Sequence, residues 1–272
     1  MASDDNRDST KAYKSESFIN SRHARPLRIL AEYLSPEARF ESARISDTIV
    51  FWGSARFMAR DDSAAALQSA RENGGDVEAA ERQLKMSRYY EDCRELARRL
   101  TEWSKGLEEK RRRFVICTGG GPGIMEAANR GASEAKGMNM GLTISLPHEK
   151  CGNAYITRQL QVEFHYFFMR KYWFVYLAKA LVAFPGGFGT LDELFEVVTL
   201  VQTRKIRKKM PIVLFGTEFW DEVLNLDALV RFGTIDRKDL DLFHKFDSVD
   251  AAFDFIIHEL THEALSHPGW RW

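Results

Sequence analysis

The chain has 272 residues, 44% hydrophobic and 29% charged, which is enough to bury a large core and is not the composition of a disordered protein. Lysine plus arginine equals aspartate plus glutamate at 39 each, so no global field draws the protein to nucleic acid or to an anionic membrane. The opening segment has no apolar signal-like stretch and no apolar run reaches spanning length. Cys93, Cys117 and Cys151 form neither an even disulfide set nor a metal motif, so a reduced, cytoplasmic setting is expected.

Residues 1–45 read as a polar arm with a helical stretch at 27–33 that stops before Pro36. Residues 46–272 read as a single nucleotide-binding and catalytic domain with a helical insertion near 60–86. Its first strand, at 48–52, is closed by Gly53 and Ser54. Two helical segments follow, divided by Asn73-Gly74-Gly75, and in the later one Cys93, Leu96, Ala97, Leu100, Trp103 and Leu107 recur at helical spacing. The runs 114–117, 140–146, 180–184 and 211–215 are short, non-alternating and rich in valine and isoleucine, as parallel strands buried on both faces are. Helices are expected between them at 124–135, 168–179 and 191–204, and 159–165 adds a strand or a loop near the edge. A last helix at 249–262 follows the cap candidates Asp247 and Ser248. Strands alternating with helices predict an α/β fold: a Rossmann-like, doubly wound, mainly parallel sheet with helices on both faces.

In such a sheet, ligands bind beyond the carboxyl ends of the strands. Two runs there are rich in glycine: Thr118-Gly119-Gly120-Gly121-Pro122-Gly123, and Pro185-Gly186-Gly187-Phe188-Gly189-Thr190. Neither is a dinucleotide fingerprint, because Ile124 and Asp192 stand where the third glycine belongs, and neither ends as a P-loop. Each does place glycines between a strand and a helix N-terminus, where free N–H groups and the positive dipole end attract an anion. A phosphorylated ligand is therefore expected, against the alternative of two tight turns.

Thr190-Leu191-Asp192-Glu193 also satisfies the capping box, in which Glu193 only bonds back to the backbone of Thr190. The other reading sets its carboxylate behind a phosphate cradle, close to a bound ribose. Upstream, Arg170 and Lys171 open an aromatic helix at the end where cations oppose the dipole, so a bound anion or carboxylate accounts for them better than local stability does.

Together these residues resemble the LOG (Lonely Guy) family of cytokinin riboside 5′-monophosphate phosphoribohydrolases, often labelled as lysine decarboxylases. The resemblance rests on P-G-G-x-G-T-x-x-E, here Pro185 to Glu193, with Arg170 and Lys171 upstream, on Gly119 to Met125, and on Gly53-Ser54. It covers roughly 48–215. It implies hydrolysis of a nucleoside 5′-monophosphate to free base and ribose 5-phosphate. Arg170 and Glu193 would be the catalytic pair, and Gly186, Gly187, Phe188, Gly189 and Thr190 would hold the phosphate. Gly53, Ser54, Gly119, Gly120, Gly121, Glu149 and Lys171 would contribute to substrate binding. A carboxylate beside the ribose stabilises the oxocarbenium-like charge of such a reaction and activates water. Arg170 holds Glu193 ionised, or binds phosphate, or binds the departing base; the sequence leaves these open. The alternative function is a non-catalytic nucleotide or molybdenum-cofactor carrier of related fold. The decarboxylase label finds no pyridoxal-phosphate lysine motif, and no cofactor is expected.

Other signals carry less. His258-Glu259-Leu260-Thr261-His262 matches a zinc-protease motif but lacks a third ligand, so solvated histidines and no metal are expected. The basic runs 110–113 and 204–209 lack aromatic interleaving and read as solvated charge. The aromatic run 164–176 reads as core or subunit interface, which makes a homo-oligomer an expectation; Trp270 and Trp272 dock on a neighbour or hang free.

Overall fold

The computed structural model describes residues 11–107, 109–145 and 152–265. The strands are β1 (Thr48–Trp52), β2 (Val115–Thr118), β3 (Asn139–Ile144), β4 (Gln161–Phe164), β5 (Ala178–Ala183), β6 (Ile212–Phe215) and β7 (Phe243–Phe246). The helices are α1 (Glu16–Ile19), α2 (Arg25–Ser42), α3 (Arg60–Asn73), α4 (Val77–Lys105), α5 (Ile124–Glu134), α6 (Phe167–Tyr176), α7 (Phe188–Gln202), α8 (Thr217–Val223), α9 (Leu226–Arg231) and α10 (Val249–Glu259). Among the described residues, one seven-stranded sheet runs in the order β4-β3-β2-β1-β5-β6-β7, and every neighbouring pair is parallel. The chain winds outward from β1 in one direction and from β5 in the other, so the order reverses between these two central strands.

Both faces of the sheet are covered, which is why its inner strands show no alternation. Val50, Trp52, Cys117, Leu181 and Ala183 pack with Trp173 and Phe174 of α6, Leu194 and Val197 of α7, and Trp220 of α8. On the other face Ile49, Phe51, Ile116 and Val182 pack with Cys93, Leu96 and Leu100 of α4, Ala127 of α5 and Ile256 of α10. The expected α/β class and the two helices flanking Asn73-Gly74-Gly75 are present, and the segment 159–165, open between strand and loop, forms the edge strand β4 over Gln161–Phe164.

Several local expectations are overturned, each for a tertiary reason. The helix expected to stop before Pro36 runs through it to Ser42. Proline has no N–H for the carbonyl four residues back, and the freed oxygen of Glu32 accepts the indole N–H of Trp173 at 3.1 Å instead. The Glu32 carboxylate also accepts the backbone N–H groups of His165 and Tyr166, just before α6. Lys179, expected at the end of a helix, lies in β5, because α6 stops at Tyr176. The second glycine run does not precede its helix: α7 starts inside it, at Phe188. Of the two cap candidates, Ser248 takes the N-cap position of α10 without a side-chain capping bond, and the Asp247 side chain instead accepts the N–H of Thr217. The sequence reading had no counterpart for α8, α9 and β7, whose stretch Phe243–Phe246 mixes His244 and Lys245 with apolar residues at the sheet edge.

The basic runs are not wholly solvated. Arg113 is buried against Asp47 and donates to the carbonyl of Ala264 at 2.7 Å, while Lys208 donates to the carbonyls of Val175 and Tyr176 at the C-terminus of α6. Burial holds the Lys208 ammonium down to about 7, with the nearby charge of Lys179 adding to the effect. His258 and His262 are exposed and pack with tilted rings, their centroids 4.4 Å apart. Among the described residues no helix is long and apolar enough to cross a membrane.

Candidate active site

The carboxyl ends of β1, β2 and β5 meet at the point where strand order reverses, which is where an open α/β sheet leaves a crevice. Three turns line it. After β1, the N–H of Ser54 donates to the carbonyl of Pro185 at 2.9 Å, and its own carbonyl accepts from Ile124 at 3.0 Å. Ser54 therefore ties the second glycine loop to the first. Gly53 and Gly123 make this clamp sterically feasible: a Cβ on Gly53 would lie 2.7 Å from the Ile124 side chain, and one on Gly123 would lie 2.2 Å from the carbonyl of Ser54. The Ser54 hydroxyl accepts the N–H of Arg56 at 3.1 Å.

The loop after β2 is held by a polar network that the sequence reading missed. Thr118 donates to Asn129 at 2.7 Å and accepts the N–H of Gly120 at 2.9 Å, which fixes Gly120 in the left-handed region at φ 73°. The side-chain amide of Asn153 donates to the carbonyls of Gly120 and Gly121, and to Asn129. These carbonyls are thus drawn inward. The only signal for this in the sequence was a scatter of asparagines, which mark turns far more often than networks.

After β5, Gly187 is the N-cap of α7, and no side chain caps that end. The first-turn N–H groups of Phe188, Gly189 and Thr190 precede the first helical acceptor and point out of the helix end. A Cβ on Gly187 or Gly189 would meet nothing within 4 Å, so open space faces these positions, whereas Gly186 presses on the Thr190 side chain. Phe188 is 92% exposed, so it contributes main chain to the loop while its ring projects into solvent.

Glu193 lies one turn into α7, and Arg170 lies in the first turn of α6. Their side chains meet at 2.9 Å and are only 12% and 13% exposed. With Thr190 in the third position of the helix rather than at its cap, the capping-box reading of Glu193 fails. The Arg170 guanidinium rests over Phe167 and Phe174, and a Cβ on Gly119 would come within 3.9 Å of it. The pair therefore stands between the two glycine loops. Burial pushes the Glu193 carboxyl up to about 7 against the pull of Arg170, and the neighbouring charges of Asp192 and Glu196 partly cancel the help from Lys171. Below it, burial raises the Cys117 thiol, and the charge of Glu193 raises it further.

Lys171 points to the other side, pairing with Asp192 at 2.7 Å and Glu196 at 3.1 Å. Burial opposes its charge, but these carboxylates outweigh that and raise its pKa. Glu149 lies outside the described residues. Two buried donors on the α6–α7 side of the sheet, the Nε–H of Arg170 and the indole N–H of Trp52, have no partner among the described residues. Trp52, the last residue of β1, packs edge-on against Phe174 at 5.8 Å.

No curated protein matches the chain. Among solved structures, the molybdenum cofactor carrier protein of Chlamydomonas reinhardtii is 19% identical over 79% of this chain and 99% of its own, with a TM-score of 0.47. The molybdenum cofactor binding protein of the phototrophic bacterium Rippkaea orientalis is 15% identical over 78% of this chain and 96% of its own, also with a TM-score of 0.47. Residues 125–256, which contain Arg170, Lys171 and the whole Pro185 to Glu193 segment, match the family described as "Possible lysine decarboxylase".

Proposed function

We propose that the protein hydrolyses the N-glycosidic bond of a nucleoside 5′-monophosphate, either a cytokinin riboside 5′-monophosphate or an AMP-like purine nucleotide, to free base and ribose 5-phosphate. The observation that carries this reading is the buried Arg170–Glu193 pair standing between two glycine loops. In this proposal the uncapped first turn of α7 holds the 5′-phosphate, and that remote contact positions the ribose. The bond from C1′ to the base nitrogen breaks with its electron pair leaving on the base. Water adds to C1′, and its proton ends on the base. The Glu193 carboxylate stabilises the positive charge that builds on the ribose and orients the water.

A carboxyl held up to about 7 is suited to this work, since it exchanges a proton readily near neutral pH. Arg170 offsets part of the burial cost, and its unpartnered Nε–H, like that of Trp52, is available to a ligand atom. Phe167, Phe168 and Phe188, exposed beside the site, support assembly of the chain as a homo-oligomer. The test is incubation of the purified protein with AMP and other nucleoside monophosphates, followed by chromatography for free base and ribose 5-phosphate. Release of base supports the proposal. Nucleotide binding without release from any substrate would overturn it in favour of a carrier.

A further inference from the structure

A cavity of about 440 Å³ lies at the opposite end of the sheet, at the amino-terminal ends of β1, β2 and β3. Its walls are the turn from α2 into β1 at Arg44, the lead into β2 at 109–114, and the turn from α5 into β3 at 136–138. Main-chain bonds weld the first two walls together: Arg112 donates to the carbonyl of Arg44 at 2.7 Å, and Ser46 donates to that of Arg112 at 2.9 Å. β2 separates the cavity floor at Val115 from Gly119 by about 13 Å of extended chain, so this is not the site described above.

The lining is strongly cationic in a chain with no net charge. Cations at helix C-termini commonly answer the helix dipole, and part of this cluster does so. Lys105 donates to the carbonyl of Ala135 at 2.7 Å, Arg112 donates to that of Ala43 at 2.6 Å, and Arg113 is committed to Asp47. Four others, Arg44, Lys110, Arg111 and Lys136, are exposed and have no ion pair or hydrogen-bond acceptor among the described residues. Glu109 is the one carboxylate among the described lining residues, and it faces Arg113 at 3.3 Å. Cations that outnumber the carboxylates around a concavity focus a positive potential into it.

The backbone takes unusual conformations around the same cavity. Arg44, Phe114 and Lys136 adopt φ of 55°, 54° and 55°, and all three line this cavity. Arg44 follows the end of α2 and Lys136 the end of α5, positions where glycine is the usual residue. The chain instead keeps long cations there.

We propose that this cavity binds a small molecule carrying two or more phosphate groups. Arg44, Lys110, Arg111 and Lys136 take the phosphates, and the half-buried apolar side chains of Leu107 and Met138 accept a flat or apolar body such as a nucleoside. The volume is that of a small-molecule site rather than of an extended nucleic-acid groove.

Isothermal titration calorimetry with inorganic tripolyphosphate and with ATP, at fixed ionic strength, tests the proposal. The Lys110→Ala/Arg111→Ala/Lys136→Ala variant loses affinity by about tenfold or more, while base release from AMP in the absence of polyphosphate is unchanged. Arg44→Gly weakens binding several-fold without lowering the melting temperature, because glycine accepts the left-handed backbone; this variant carries the test should the triple variant fold poorly. Unchanged affinity in both variants overturns the proposal. So does tripolyphosphate binding that disappears in Gly186→Ala, which would place the anion at the glycine loops. Tighter binding of a short single-stranded oligonucleotide than of tripolyphosphate through the same cations would also overturn it.

Discussion

Two arginine–carboxylate pairs are buried at opposite ends of the same sheet, and they do different work. Asp47 and Arg113, at the amino ends of β1 and β2, are 0% and 1% exposed. Lys179 stands 3.6 Å from the same carboxylate, and Arg113 reaches on to the carbonyls of Ala264 and Leu265. Glu193 and Arg170 are 12% and 13% exposed, and the Nε–H of Arg170 has no partner among the described residues. In both pairs burial raises the carboxyl pKa despite the cation beside it. The difference is enclosure. Asp47 is sealed from solvent between two cations, although its Oδ1 accepts no hydrogen bond among the described residues, and Arg113 ties it to the C-terminal segment; Glu193 keeps a partly exposed side next to an unmet Arg170 donor.

The largest effect expected from breaking this contrast is at the open pair. Glu193→Gln lowers kcat for base release by about a thousandfold with little change in KM, checked by steady-state kinetics beside a circular dichroism spectrum. A kcat within tenfold of the native value would remove Glu193 from the chemistry. At the enclosed pair, Arg113→Met leaves a buried carboxylate with Lys179 alone and lowers unfolding free energy by about 3 kcal/mol in urea titration, while kcat per folded molecule stays the same.

pH sharpens the comparison next. Because Glu193 in the free enzyme is pushed up to about 7, kcat/KM rises about tenfold from about pH 6 to pH 8 as the carboxylate forms. Stability runs the other way. A folded pKa above the unfolded value means that proton binding favours the fold; that contribution is complete below the unfolded carboxyl pKa and is lost as pH climbs through about 7. Glu193→Gln is therefore more stable than the native chain by about 1–3 kcal/mol at about pH 8, with the gain vanishing in acid, as measured by denaturant titration at both pH values. A pH-independent difference would mean that Glu193 titrates normally. The smallest expected effect is at Gly187→Ala. Its methyl meets no protein atom within 4 Å, so stability is unchanged, and a rise in KM of about threefold to tenfold reports the ligand phosphate alone.

Much of this was legible from local pattern. Strands buried on both faces read as apolar runs, and glycines after two of them marked the crevice, because only residues without a Cβ fit where Gly53 meets Ile124 and Gly123 meets Ser54. The asparagine network under the first loop was not legible, since Thr118, Asn129 and Asn153 come from three separate segments and none belongs to a recognisable spacing.

Periodicity and the order of apolar and glycine-rich segments were enough to specify a doubly wound sheet and the strand ends at which its crevice opens, and the motif resemblance singled out Arg170 with Glu193 as the residues to watch. Tertiary contact alone decided which of two lives a charged side chain leads. Arg113 and Lys208 look like solvated members of basic runs until the fold encloses them, Pro36 looks like a helix stop until Trp173 takes the carbonyl it frees, and Glu193 looks like a helix cap until Arg170 arrives from another helix. Burial and partnership are properties of chain segments brought together from a distance, and no window of neighbouring residues contains them.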